Sequence, residues 1–282
     1  MSEVALATFF WELDPLPEVM RELSDKGVGL IEVHSNAPGT HIDFSDHQQV
    51  AEVKDTLEEI PLRIASVHSG FTRPNELAWD ISNPDSVIRS RAIRNHSSVI
   101  TGAAVIGAGH VALHPGPPQE DKSRLQYSRD SIFELTSVAA KSGIKIAVEN
   151  LPPGYLGDSV EQMKFILQDT DPEYIGMCLD TGHASLGKNT LDEYITEFHS
   201  RIIAIHWHDS HKGKDAHLFP GMGSTNWRIF LSALDENGCA PRFVLEAIPG
   251  NGVKLADGIR EIESAIEQLR HPRFPHLERL EK

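Results

Sequence analysis

The chain has 282 residues, of which 40% are apolar and 24% charged, so it is a globular protein long enough to bury a sizeable core. Its formal net charge is -15 at pH 7, and its pI is near 5.4. This acidic balance disfavours nucleic acid and anionic membranes as partners without excluding a local patch for nucleic acid.

The sequence carries neither a thiol framework nor a targeting segment. Cys178 and Cys239 form no C-x-x-C motif, so a disulfide scaffold or a thiolate zinc site is not expected. Acidic Glu12 and Asp14 follow the first apolar run too closely for a signal peptide. No run reaches the roughly 18 apolar residues of a membrane span. We therefore expect a cytoplasmic protein with no membrane partner.

Apolar runs typical of strands alternate with segments of helical spacing along the whole chain. The predicted strands are Val4–Phe10, Val28–His34, Ile64–His68, His110–His114, Lys145–Glu149, Ile175–Asp180, Ile202–His206 and Phe243–Glu246. The predicted helices are Pro15–Lys26, Asp46–Ile60, Asn83–Ile106, one through Ile132 to Gly143, one after a capping pair Asp158 and Glu161, Leu191–His199, one from Trp227 to Gly238, and Val253–Leu269.

Eight strand-then-helix units with short connections predict an α/β fold, a single (β/α)8 TIM barrel over residues 1–282 with a tail at about 271–282. A doubly wound open sheet is the alternative, but no Gly-rich phosphate loop follows the first strand. A barrel places the carboxyl ends of all its strands around one mouth. Residues that end the strands are therefore expected to be neighbours in space.

From the third strand onward, each predicted strand ends in a side chain that can bind a metal. These residues and those of the following loops are His68, His114, Glu149, Asp180, His183, His206, Asp215, His217 and Glu246. Four carboxylates at one mouth repel unless their pKa values rise or cations bind, and neutral imidazoles are good ligands for borderline metals. The pattern predicts a centre for one to three divalent ions, zinc or manganese.

Four short motifs make the chain resemble the xylose isomerase-like barrel superfamily, which includes sugar-phosphate isomerases and epimerases as well as endonuclease IV. They are VEN at Glu149, LDTGH at Asp180, H-x-x-D at His206 and VLE at Glu246. For the sugar-isomerase branch, the resemblance implies that these four residues hold one metal. It also implies that Glu149 and Glu246 are the catalytic acid and base, and that His183 contacts the substrate.

The endonuclease IV branch uses three zinc ions, and the resemblance implies ligands for all three here. The implied sets are His68 and His114 with Glu149, Asp180 and His206 with Glu149 and Glu246, and His183 with Asp215 and His217. The chain departs from that enzyme at His68–Phe71, Glu149–Pro153 and His208–His211, where the endonuclease grips DNA. These departures disfavour a DNA substrate.

The favoured function is a metal-dependent sugar or sugar-phosphate isomerase or epimerase, which moves a proton through a metal-stabilised enediolate. The alternative is a multi-zinc phosphodiesterase or AP endonuclease related to endonuclease IV. The expected partner is a small sugar or sugar phosphate, and a homo-oligomer is compatible with the fold. Predicted substrate contacts are His183, His68, His114 and Trp207, with Trp11, Glu32, His34 and Phe71 as further pocket walls.

Overall fold

The computed structural model describes residues 4–35, 41–71, 77–118, 121, 123–211 and 213–247. Eight strands form a closed barrel and pair in parallel, the first with both the second and the last. These strands are β1 (Val4–Ala7), β2 (Leu30–His34), β3 (Arg63–His68), β4 (His110–Leu113), β5 (Lys145–Glu149), β6 (Ile175–Asp180), β7 (Ile202–Trp207) and β10 (Arg242–Leu245). The predicted TIM barrel is confirmed.

Helices alternate with the barrel strands. They are α1 (Leu16–Asp25), α2 (His47–Glu59), α3 (Ser86–Val105), α4 (Arg124–Ser142), α5 (Val160–Leu167), α6 (Thr181–Leu186), α7 (Leu191–Phe198) and α8 (Trp227–Glu236). The predicted helix Val253–Leu269 and the tail at 271–282 lie outside the described residues. Across the described ranges, none of these helices has the length and apolar character that a membrane crossing requires.

The main hydrophobic core lies between the barrel wall and the helices, and strand alternation decides which residues enter it. In β7, Ile205 and Trp207 belong to this core, whereas His206 between them contacts carboxylates from other strands. Inside the barrel, small residues such as Ala7 and Ala65 form a separate cluster. Most large apolar side chains of the barrel strands thus lie on its outer face, against the helices, and smaller side chains lie on its inner face.

Three predicted boundaries are wrong for local reasons. The first strand ends at Ala7, because residues Phe9–Trp11 form a 3-10 turn. Helix α3 is capped by Asp85, whose carboxylate accepts two backbone N–H bonds, instead of by Asn83. Helix α5 is capped by Ser159 and not by the neighbouring Asp158.

Two elements that the sequence analysis did not predict lie in the loops at the mouth. Helix α6 follows β6 without a break, because Asp180 ends the strand and also caps the helix, accepting the His183 N–H at 2.7 Å. After β7, strands β8 (Asp209–His211) and β9 (Lys214–Leu218) form an antiparallel hairpin. This hairpin carries Asp215 and His217.

Candidate metal and substrate site

Glu149, at the end of β5, is the residue on which side chains from several strands converge. It is buried, and its Oε2 lies 3.1 Å from His68 Nε2 and 3.2 Å from His114 Nε2. Its Oε1 lies 3.3 Å from His206 Nδ1. The structure therefore brings together residues from β3, the end of β4, β5 and β7 that are up to 138 positions apart in sequence.

A second group surrounds His206. Its Nδ1 lies 3.3 Å from Glu246 Oε1 as well as from Glu149, and ligand atoms of Glu149, Asp180 and His206 all lie within 4.8 Å of one another. On the other side of the ring, Nε2 is 3.4 Å from Glu32 Oε1. Glu32, which sequence reasoning treated only as a pocket wall, is thus a fully buried neighbour of the predicted ligands.

A third group lies where α6 meets the hairpin. Asp215 Oδ2 is 3.2 Å from His183 Nε2 and 3.4 Å from His217 Nε2. His208 lies beside this group, with a ring nitrogen within 4.8 Å of the ligand atoms of the other three residues. Sequence reasoning missed His208 as a site residue. The available signal was its position two residues after His206, since alternate residues of an extended segment share a face.

Three of these histidines donate one ring N–H to a backbone carbonyl. The Nδ1 contacts are His68 to Ser69 (2.8 Å), His183 to Asn150 (3.0 Å) and His217 to Glu246 (3.0 Å). Because a carbonyl only accepts, each Nδ1 carries the proton, and each Nε2 faces a carboxylate oxygen. Either a second proton or a cation must then lie between nitrogen and oxygen. Histidines that bind metals are held in this way.

The carboxylates of this site differ in their electrostatic surroundings. Burial raises the pKa of Glu149, but His206 and His114 outweigh it and hold this pKa well below its usual range. Burial also raises the pKa of Glu246, and there the nearby Glu149 and Asp180 charges reinforce the increase despite the opposing effect of His206. The two glutamates reach the same His206 nitrogen, yet their pKa values move in opposite directions.

His206 gives the clearest evidence that the residues fit a cation. Among the described residues, neither of its ring nitrogens has a hydrogen-bond partner, and Glu32 Oε1 has none either. Carboxylate oxygens nevertheless lie 3.3–3.4 Å away from both nitrogens. Buried polar atoms are normally satisfied, so ligand atoms that converge without bonding each other fit a shared ion. Nitrogen and carboxylate donors suit zinc or manganese.

Aromatic rings line the same region. His34 stacks on His68 with ring centroids 4.2 Å apart, Phe71 lies 5.4 Å from His114, and Phe9 lies 5.6 Å from His217. Phe9 was not predicted here, because it was assigned to the first strand. These rings give the groups of ligand atoms an apolar border, as in pockets for small molecules.

Two predicted pocket residues lie elsewhere. Trp207 is 2% exposed and packs in the core between the barrel and the helices, 6.1 Å from Trp227 and 5.5 Å from Phe243 between ring centroids. Since His206 faces the barrel interior, its neighbour in the strand must face outward. The structure therefore places Trp207 on the opposite face of β7 from His206. Trp11 is also buried in this core.

Asp209 organises the loop that presents Asp215 and His217. Its buried carboxylate accepts hydrogen bonds from five groups, at distances of 2.9–3.1 Å. The donors are the backbone N–H groups of Ser210, Gly221, Gly223 and Thr225 and the indole N–H of Trp227. One side chain thus ties the base of the hairpin to the start of α8. His217 itself has a left-handed backbone (φ 43°), a strained conformation for a non-glycine residue that this loop must hold.

We predict that Asp209→Asn lowers the free energy of unfolding by about 2–4 kcal/mol, because an amide offers one acceptor oxygen to a set of donors and adds an N–H of its own. Urea unfolding measures this change. Asp55→Asn, on the exposed side of α2, is the matched control and should stay within about 0.5 kcal/mol of the parent. Equal stability of the two variants would show that Asp209 does not hold the loop.

Comparison with solved structures shows that other proteins share this fold. A D-tagatose 3-epimerase-like protein superposes with a TM-score of 0.77 at 22% identity, covering 95% of this chain and 98% of that one. The IOLI protein with a bound zinc atom gives 0.77 at 17% identity, with coverages of 95% and 97%. L-ribulose 3-epimerase gives 0.71 at 18% identity and 96% of both chains. At these identities the likeness establishes the shared fold.

Two sequence relatives match about half of the chain. An uncharacterised protein of Methanocaldococcus jannaschii, MJ1311, is 31% identical over 168 residues, 55% of this chain and 57% of that protein. The uncharacterised protein y4fM of Sinorhizobium fredii is 26% identical over 140 residues, 47% of this chain and 45% of that protein. The chain thus spans about half the length of these relatives. The model of the xylose isomerase-like TIM barrel family matches residues 20–271, and the chain belongs to that family.

Proposed function

We propose that this protein is a metal-dependent isomerase or epimerase of a sugar or sugar phosphate. The observation that carries the proposal is the set of histidines whose Nδ1 protons are held by backbone carbonyls while Nε2 faces a carboxylate. A D-tagatose 3-epimerase-like protein and an L-ribulose 3-epimerase among the structural neighbours support the sugar chemistry, and the IOLI protein with a zinc atom supports the metal.

Glu149, Asp180, His206 and Glu246 would hold the principal ion, since they end four adjacent strands of the barrel and are all buried. When bound there, a divalent ion polarises carbonyl and hydroxyl oxygens and stabilises the negative charge that develops on removal of a proton from carbon. His68, His114 and His183 lie beside this position and would contact the sugar oxygens. Phe9 and Phe71 would border the apolar face of the sugar.

Glu149 and Glu246 would move the proton. The low pKa of Glu149 favours the ionised form, which can accept a proton from the carbon next to the carbonyl. The pKa of Glu246 is raised by burial and by the neighbouring carboxylates, so of the two glutamates it would hold a proton more readily and return it to the opposite face. Return to the same carbon gives the epimer, and return to the adjacent carbon gives the isomer. Two carboxyl groups with opposed pKa shifts are a recurrent acid–base arrangement.

The alternative function is phosphodiester hydrolysis by several ions. The observation that favours it is the number of candidate ligand groups. His68 and His114 with Glu149, and His183 with Asp215 and His217, each gather three potential ligands beyond the needs of one ion. A cluster of ions could bind a phosphate and activate water. In the described residues, the carboxylates of these groups are paired with histidines, which are themselves potential metal ligands. Both the isomerase and the phosphodiesterase function are therefore compatible with bound cations.

The test of the proposed function is epimerisation of free ketoses, including tagatose and ribulose, by protein loaded with Zn²⁺ or Mn²⁺ in D₂O. We expect formation of the epimer with deuterium at the inverted carbon, because a glutamate exchanges its proton with solvent. Glu149→Gln should lower turnover by about 100-fold or more. The control, Glu58→Gln on the exposed face of α2, should retain full turnover.

Two results would contradict this proposal. One is full turnover in the Glu149→Gln variant. The other is hydrolysis of a phosphodiester such as bis-p-nitrophenyl phosphate with no deuterium incorporation into any ketose or ketose phosphate tested, which would favour the alternative function.

The number of ions is tested with the double substitution Asp215→Asn and His217→Gln. We expect it to lose one metal equivalent and to keep the ion at Glu149, because Asp215 and His217 supply two of the potential ligands next to His183. Elemental analysis after dialysis against Zn²⁺ gives the stoichiometry. The matched control is Asp192→Asn with His199→Gln, an exposed pair on and after α7. Unchanged stoichiometry in the test variant would eliminate the additional ion.

A further inference from the structure

His208 lies between the group around His206 and the group formed by His183, Asp215 and His217, and its backbone and ring are closely held there. It is fully buried directly after β7. Its backbone N–H donates to Thr181 Oγ1 at 3.2 Å, and the Thr181 hydroxyl donates to the His208 carbonyl at 2.7 Å. The start of α6 packs against the imidazole so closely that a Cβ on Gly182 would lie 2.0 Å from its Cε1. The ring is therefore closely packed against the start of α6.

The His208 side chain makes one polar contact among the described residues. Its Nε2 lies 3.0 Å from Asp180 Oδ2, and its Nδ1 has no hydrogen-bond partner within the described ranges. The other oxygen of Asp180 accepts the backbone N–H of His183 at 2.7 Å. Both oxygens of this carboxylate are thus oriented, one by the helix start and one by His208. Such outer contacts fix the direction from which a carboxylate approaches a metal.

The face of the same ring supports the hairpin. His208 and His217 stack with centroids 4.0 Å apart and an interplanar angle of 8°. Because imidazole nitrogens coordinate in the plane of the ring, two parallel stacked rings direct their lone pairs side by side. They do not converge on one ion without breaking the stack. His217 directs Nε2 to Asp215, so His208 provides the supporting surface.

We propose that His208 is a positioning residue that couples the ligand group around His206 to the ligand group that includes His183, Asp215 and His217. Its N–H orients Asp180 towards the principal ion, while its ring face fixes His217 and with it the hairpin. Binding of the principal ion and the position of the hairpin are then mutually dependent, although their ligands come from different loops. This proposal rests on the proposed metal centre and adds a role for a residue outside the ligand set.

Two substitutions separate the N–H contact with Asp180 from the packing of the ring, whereas hydrogen exchange tests the stack on His217. His208→Gln keeps an N–H near the position of Nε2 and removes the aromatic face, whereas His208→Phe keeps the face and removes the N–H. Each is made in the Asp215→Asn, His217→Gln background, in which the principal ion is read alone. The probe is Zn²⁺, measured by competition with a chromophoric chelator. We expect His208→Phe to weaken Zn²⁺ binding by about 10–100-fold and His208→Gln to retain most of the Zn²⁺ affinity.

The results distinguish the two proposals from each other. If the unsubstituted protein binds no Zn²⁺, the proposed metal centre is wrong and the proposed role of His208 is wrong with it. If the double variant binds Zn²⁺ and both further substitutions of His208 leave its Zn²⁺ affinity unchanged, only the positioning role is overturned. Equal loss in both variants also overturns it, because loss of packing alone would explain the effect.

Hydrogen exchange on the unsubstituted protein supplies the result if His208→Phe does not fold. Addition of Zn²⁺ should slow amide exchange in both α6 and the β8–β9 hairpin, since His208 joins them. Protection confined to one of these two elements would contradict the coupling.

Discussion

The crowding of negative charge at the mouth of the barrel is the constraint on which the rest of the site depends. Glu149, Asp180 and Glu246 are buried around His206, and Asp215 lies beside His183 at the same mouth. Two like charges 4 Å apart repel by about 4 kcal/mol at an effective dielectric constant of 20. Histidines surround these carboxylates, and an imidazole neutralises a charge only when it is protonated or binds a cation. Bound metal ions would relieve the repulsion and use the nitrogen lone pairs.

The architecture holds the ligands by means that do not involve the ions. Strand alternation sends His206 inward and Trp207 into the core, so the side chain that fixes β7 against α8 is next to a proposed ligand. Asp209 ties down the hairpin through five hydrogen bonds, and Asp180 caps α6 while facing the mouth. Each loop therefore has an anchor close to the residue it presents. A site prepared in this way loses little conformational entropy when it binds a ligand.

Much of this arrangement could be predicted from the sequence, because the β/α alternation is regular and each strand ends in a distinctive residue. The barrel needs only the order of apolar runs, and its geometry then gathers the strand ends without any knowledge of side-chain contacts. The failures occur where segments are too short for a period to be read. Helix α6 has six residues and β8 has three. Tertiary contacts also decide details such as Ser159 in place of Asp158 as a cap, and the burial of Glu32 beneath His206.

The most direct test of the account is the thermal stability of the protein before and after verified removal of metal by EDTA. Ions that bind only the native state stabilise it by mass action, by about 2.7 kcal/mol at a free concentration 100 times the dissociation constant. For a chain of this size we predict a fall in Tm of roughly 5 °C or more on removal, reversed by Zn²⁺ or Mn²⁺ but not by Na⁺. A Tm that is the same with and without metal, with elemental analysis confirming both states, would contradict the claim that bound cations offset the repulsion between these carboxylates.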